Sequence, residues 1–320
     1  MKKEILGEMR LIDMKVKRIC SFLMTLTISL ALSIPAMATG ENVSCVYPDS
    51  LIDNIQVNMT EDLFNEYDHI VAIRNMTENE LAENGITEAE ASFYTSDAPE
   101  KELLFRASLP EEVLRNEYCY SDTAIKLIKS YDGTPLEDAP EMRAAAATLS
   151  AGLDEIMGAP KQIGMIYSCE WGSRPLGSGE DAAGVAWDAT YEDGGNNNAR
   201  LNSQDSYAQI TYHGGISSYT ETVDLESKDL HQNAYVEFDF ERDESEGGTT
   251  NYVWAKKIRL TIFVDLANSS GPKFVELVAH GEYGHSGIGV SAGISFPFGI
   301  SISFNPTVDV YGDRNLTVLI

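Results

Sequence analysis

The stretch from Gly287 to Gly312 limits the architecture more than any other part of the chain. From Ile288 to Val310 the even positions are Ile288, Val290, Ala292, Ile294, Phe296, Phe298, Ile300, Ile302, Phe304, Pro306, Val308 and Val310. The odd positions between them carry only Gly, Ser, Pro, Asn, Thr and Asp. A period of two belongs to β-structure, with one face apolar and the other small and polar. Pro297-Phe298-Gly299 interrupts the middle. A three-residue loop there keeps Phe296 and Ile300 on one face, and Gly299 suits the left-handed position such loops need. The stretch predicts a long hairpin with arms Ile288–Phe296 and Ile300–Val308.

The same alternation recurs upstream. Ile163, Met165, Tyr167, Cys169 and Trp171 share one face, as do Val185, Trp187, Ala189 and Tyr191, then Ala208, Ile210 and Tyr212, then Ala234, Val236, Phe238 and Phe240. Tyr252–Leu266 reads as a long strand, and Lys273–Tyr283 as another with Val275, Leu277, Ala279 and Tyr283 on one side. Asp193–Asn198, Gly214-Gly215, Glu244–Thr250 and Asn268–Pro272 supply polar turns. Short strands with such spacing predict an antiparallel sandwich or barrel over residues 160–320.

Residues 39–150 read differently. Between 39 and 145 there are 23 Asp/Glu against seven Lys/Arg. Thr77-Glu78-Asn79-Glu80 and Thr87-Glu88-Ala89-Glu90 fit the capping box, with Gly85 as a helix stop between them. Pro110 stands before Glu111–Glu117 as a first-turn proline does. Ser121 caps Asp122–Tyr131, which Gly133 closes. The Ala-rich run Glu141–Gly152 reads as one more helix, and the boundary falls near Leu149–Pro160. Helices this short need packing partners to exist. Acidic residues in their first turns suit the helix dipole. The expected fold is α+β: an acidic bundle of short helices, then an all-β antiparallel sandwich ending in the long hairpin.

Lys15, Lys17 and Arg18 precede an apolar run, Ile19 to Ile34, which ends in Pro35-Ala36-Met37-Ala38. A basic region, an apolar core and an A-x-A site describe a secretory signal peptide over residues 1–38, cleaved after Ala38. The run falls short of the roughly 20 residues of a spanning helix. Cys20 lacks the small-residue context of a lipidation site. The expectation is a chain secreted to the extracellular space.

The full sequence carries a net charge of −27. Without residues 1–38, 17 basic and 47 acidic side chains remain. Such a balance opposes nucleic acid, whose affinity for proteins comes largely from phosphate neutralisation, and opposes anionic lipid surfaces. Cys45, Cys119 and Cys169 also remain, an odd number that cannot pair fully within one chain.

The densest titratable cluster is His280-Gly281-Glu282-Tyr283-Gly284-His285. On a regular strand His280 and Glu282 share a face and His285 takes the other. A bulge at Gly281 or Gly284 could join both histidines as metal ligands. Without one, the cluster is a surface His–Glu pair. Asp193–Asn198 and Asp243–Gly248 offer oxygens of the kind calcium takes, in spacings that match no EF-hand. Cys169 sits on an apolar face as a small hydrophobe. Tyr207, Tyr235 and Tyr252 alternate onto polar faces, where aromatic rings serve as contact anchors; cross-strand pairing is the plain alternative.

These features point first to a secreted, non-catalytic binding protein that recognises an extracellular protein or glycan, without a cofactor. Two alternatives stand beside it. One is an extracellular hydrolase using His280, Glu282 and His285. The other is a membrane-active, bacteriocin-like toxin. In that reading the hairpin inserts with Ile288, Val290, Ile294, Phe296, Ile300, Ile302 and Phe304 towards lipid, its arms close to the roughly nine to eleven residues of a tilted transmembrane strand.

Overall fold

The computed structural model describes residues 55–84, 86, 88–177, 179–193, 199–214, 217–246, 249–266, 272–285, 294–295, 301–304 and 309–320. The expected signal peptide, Cys45 and the Thr87 capping position lie outside them. Strand β1 (Thr60–Asn65) leads into helices α1 (Glu66–Arg74), α2 (Glu78–Glu83), α3 (Glu88–Thr95), α4 (Ala98–Ser108), α5 (Glu111–Asn116) and α6 (Asp122–Ser130), followed by short 3₁₀ turns at Leu136–Asp138 and Pro140–Ala145. The strands then run β2 (Thr148–Ala159), β3 (Gln162–Trp171), β4 (Glu180–Tyr191), β5 (Ala199–Leu201), β6 (Tyr207–Gly214), β7 (Ser217–Asp224), β8 (Asn233–Asp239), β9 (Glu241–Glu246), β10 (Thr249–Leu266), β11 (Phe274–His285), β12 (Ile294–Ser295), β13 (Ser303–Phe304) and β14 (Asp309–Leu319). The result is an α+β protein: a few short helices and a mostly antiparallel, β-rich body.

The helix starts follow local chemistry. Asn65 caps α1 by accepting from the Asp68 amide at 3.3 Å. Thr77 and Glu80 form the expected capping box at α2. Ser121 caps α6 through the Ala124 amide. Pro110 immediately precedes α5. The helices gain stability by burying Ile70, Ile73, Tyr94, Leu103, Leu114, Ile125 and Ile128 in one shared cluster.

The 18-residue strand β10 is the spine of the larger sheet, whose order is β1-β2-β3-β10-β6-β7, with β5 and β9 also paired to β10. The second sheet has the order β14-β11-β4-β8. The alternating residues of β3, β4, β6 and β8 fall in one apolar cluster with Phe240, Leu277, Ala279 and Tyr283, drawn from both sheets. The period-two reading therefore found the inward faces.

Several expectations are corrected. β1 was not foreseen, because TEDLFN carries two acidic residues and no apolar alternation; it forms through pairing with β2. The Ala-rich run is not a helix beyond Ala145: β2 starts at Thr148, and Ala147, Leu149 and Ala151 enter the β core. Pairing with β3, Leu149 opposite Trp171, overrides the helix propensity of alanine. Strand β2 runs through most of Leu149–Pro160, and residues Tyr47–Ile320 fall in one compact unit. Val275 is exposed rather than inward, because a register irregularity between Phe274 and Glu276 puts Phe274 in the core instead.

The C-terminal hairpin differs as well. Its described paired segments are β12 and β13, with Ile294 opposite Phe304 instead of Ile302. This two-residue shift keeps even positions facing even positions. Val310, beyond the expected second arm, belongs to β14 and pairs with Gly284 of β11. Ile288, Val290, Phe296 and Ile300 lie outside the described residues.

Candidate functional site

Two regions bring chemistry-bearing side chains together. The first is an open cleft of about 660 Å³ where the helical segment meets the larger sheet. Phe64 enters it from β1, His69 from α1, Cys119, Tyr120 and Ser121 from the turn before α6, Arg143 from the second 3₁₀ turn, Thr148 from β2, and Ser173 from the loop after β3. Arg143 grips Asp68 with both prongs, Nε to Oδ1 at 2.8 Å and Nη2 to Oδ2 at 2.7 Å. His69 meets Phe64 and Tyr94 edge-on, with ring centroids 5.5 and 5.2 Å apart.

Behind the cleft the wall is held by buried charge. Glu66 accepts the Leu176 amide at 2.6 Å. Burial pushes its carboxyl upward, against the Leu176 hydrogen bond and the nearby Arg106. Arg106 is closed to solvent; it binds Glu102 at 2.8 Å and the Arg174 and Pro175 carbonyls at 2.8 Å each, and donates to the Tyr120 hydroxyl. This fixes Tyr120 to the loop after β3. Cys119 has φ +59°, a left-handed backbone that is uncommon for a non-glycine residue. Burial pushes its thiol up, more than Lys256 lowers it. A thiol so raised is a poor nucleophile. The cleft combines aromatic edges, hydroxyls and a braced guanidinium, a lining suited to holding a polar ligand.

The second region is β11, where the structure separates the histidines. His280 Nε2 lies 2.8 Å from Glu282 Oε1, and its Nδ1 lies 2.9 Å from Asn315 Oδ1 and 3.3 Å from Asp313 Oδ1 of β14. Burial lowers the His280 pKa, but the hydrogen bond and charge of Glu282, with Asn315 and Asp313, outweigh it, and the net direction is upward. His285 points inward, with Nδ1 2.8 Å from Asp181 Oδ1 of β4, against the rings of Trp171 and Phe240. His280, Glu282 and His285 therefore do not form one site. A register irregularity does occur here, yet it brings Asp313 to His280 rather than joining the two histidines.

The tyrosines also divide. Tyr252 is 67% exposed and Tyr207 is half-buried, but Tyr235 is only 3% exposed. Tyr235 was expected on an open face. Instead Ile294 and Ile302 cluster with it and Ala182, and its hydroxyl donates to Glu226 at 2.8 Å. A tyrosine so covered cannot serve as an exposed anchor. Of the two acidic loops, Asp243 to Glu246 is strand, paired with β10, and residues 194–198 and 247–248 lie outside the described residues. The cleft itself was not visible in the sequence, since its walls come from several separated stretches and no spacing links them.

No family model and no curated protein matches this chain. Among solved structures, it is similar to one described as "AvmM Catalyzes Macrocyclization in Alchivemycin A Biosynthesis", at 8% identity over 53% of this chain and 88% of that one, with a TM-score of 0.21. It is also similar to Clostridium perfringens delta-toxin, at 9% identity over 54% of this chain and 83% of that one, with a TM-score of 0.16. Overlaps this shallow carry no argument about fold or function.

Proposed function

We propose that this chain is a secreted, non-catalytic binding protein that captures an extracellular protein or glycan in the cleft at the helix–sheet junction. In this reading the signal peptide is removed near Ala38, the helices form an acidic bundle, and the two sheets form a sandwich that acts as a rigid support. The observation that carries the reading is the cleft. Its volume, about 660 Å³, is in the range of ligand sites, and its mixed lining of Phe64, His69, Ser121, Arg143 and Ser173 fits a polar ligand such as a short stretch of sugar rings or an extended peptide segment. The acidic balance argues against nucleic acid as that ligand.

The test is a glycan and peptide array probed with the purified protein, beside Arg143→Ala and Phe64→Ala variants. The reading expects a defined ligand class whose binding is lost in both variants and kept in Tyr252→Ala, outside the cleft. Capture that survives both cleft substitutions, or no capture at all, would reject it.

A second reading has its own observation. The apolar face of the β12–β13 hairpin rests through Ile294 and Ile302 on Ala182 and Tyr235, a small patch. Lifting from this patch would present that face to a lipid surface, which supports a membrane-active role. Dye release from neutral and anionic vesicles tests it, beside an Ile302→Asp variant. Intact vesicles at every lipid composition and pH would end this reading.

A further inference from the structure

The outer face of the β11–β14 pair carries a cluster that the sequence does not place together. Between the register pairs Gly281↔Arg314 and Tyr283↔Tyr311, β11 has one residue, Glu282, and β14 has two, Gly312 and Asp313. This is a β-bulge on β14, and Gly312 takes the left-handed backbone, φ +71°, that a bulge of this kind uses. Glycine is also required by space: a Cβ there would come within 2.8 Å of the Tyr167 hydroxyl and 3.2 Å of Cys169 Sγ. The Tyr167 hydroxyl donates to the Gly312 carbonyl at 2.9 Å and holds the bulge from beneath. The consequence lies on the opposite face, where Asp313 is brought beside His280, and Asn315 stands directly across from it.

We propose that His280, Glu282 and Asp313 form a binding site for a single divalent transition-metal ion, with zinc as its natural class. One ligand atom from each residue lies within 4.8 Å of the others, wider than the roughly 3.4 Å between donors about 2.1 Å from a tetrahedral ion, so binding must draw the exposed Asp313 carboxylate inward. One imidazole and two carboxylates are donors that zinc accepts, with a fourth position left for water. Calcium and magnesium prefer all-oxygen shells and fit an imidazole poorly. His280 and Glu282 are mostly covered while Asp313 is 66% exposed, so the site has anchored ligands on one side and an entry path on the other. Asn315 Oδ1, 2.9 Å from His280 Nδ1, orients the ring. Arg314 donates through Nε to the Ala151 carbonyl and through Nη1 to the Asp313 backbone carbonyl, each at 3.0 Å. Bound zinc would clamp β14 to β11 next to the register pair His285↔Asp309, where the chain leaves for the C-terminal hairpin.

The experiment is titration calorimetry and thermal melting of the purified, tag-free protein with zinc chloride, after chelator treatment, with magnesium and calcium in parallel. The expected result is one zinc per chain, a rise in melting temperature with zinc alone, and loss of both effects in His280→Ala and Asp313→Asn. Asn315→Ala should weaken binding about tenfold, as loss of an orienting partner does. Asp313 is mostly exposed, so Asp313→Asn keeps the fold and isolates the ligand role. The exposed His231–Asp229 pair is the control. Zinc binding that is absent, that persists in both His280→Ala and Asp313→Asn, or that is lost in His231→Ala instead would overturn the proposal.

Discussion

Asp181 and His285 stand opposite one another in the β4–β11 register, with His285 Nδ1 2.8 Å from Asp181 Oδ1 and both side chains closed to solvent. The Tyr283 hydroxyl donates to the other Asp181 oxygen, and Trp171 Nε1 donates to the Tyr283 oxygen at 3.1 Å. One carboxylate thus organises a tryptophan, a tyrosine and a histidine inside an apolar core. A buried polar group at such a place costs free energy unless its hydrogen bonds are made.

Replacing Asp181 with alanine removes the acceptor that both Tyr283 and His285 use. Leaving a buried donor without its acceptor costs about 1–3 kcal/mol for each group. Urea unfolding of Asp181→Ala, followed by tryptophan fluorescence, should show a loss of this order. A loss below about 1 kcal/mol would mean that the network adds little beyond its packing.

Gly312→Ala tests the bulge. The new methyl must enter left-handed backbone and also press on Tyr167, Ala151 and Cys169, at 2.8, 3.1 and 3.2 Å. Strain of this kind costs about 1–3 kcal/mol. The expected result is a lower denaturation midpoint together with weaker zinc binding. A variant as stable as the parent would show that β14 can relax without harm.

Ile294→Asp tests the cover over Tyr235. With the aliphatic contact gone and a carboxylate set near Glu237, whose Oε1 accepts the Ile294 amide at 3.0 Å, the hairpin should lift. Nitration followed by peptide mass spectrometry should then modify Tyr235 several-fold faster, while Tyr167, fully buried in the shared core, keeps its protection. Unchanged nitration at Tyr235 would show that other contacts hold the cover.

Acid should weaken the helical segment through Glu100. Burial raises its carboxyl, but Arg74, bound through both guanidinium nitrogens at 2.6 and 2.8 Å, and the Leu136 amide at 3.0 Å outweigh burial and leave the pKa below its ordinary 4.5. A carboxylate lowered in the folded state contributes its full stability above the unfolded value, and that stability is lost as pH falls through the folded one. The urea midpoint should therefore drop as pH is lowered below about 4.5, and Glu100→Gln should flatten that limb while being less stable at neutral pH. Equal slopes for the two proteins between pH 3 and 5 would contradict this.

Local signals in the sequence determined much of this protein. Period-two alternation at Ile163–Trp171, Val185–Tyr191 and Ala234–Phe240 marked the faces that enter the core. Thr77 and Ser121 marked helix starts, because a cap needs only residues three positions apart. The opposite faces of His280 and His285 also followed from strand period alone. Tertiary structure decided the rest. Thr148–Ala151 became strand because β3 was there to pair with it, a partner that a helix propensity ignores. Tyr235 lost its exposure to Ile294 and Ile302, residues far along the chain. Asp313 reached His280 only through a bulge whose extra residue shows no signature but a glycine. The cleft needed β1, α1, a turn, the start of β2 and the loop after β3 to meet. Capping and alternation are set by neighbours within a few residues, so they can be read along the chain; pairing partners, covers and cavities are set by contacts between distant segments, and their energies exist only once those segments have met.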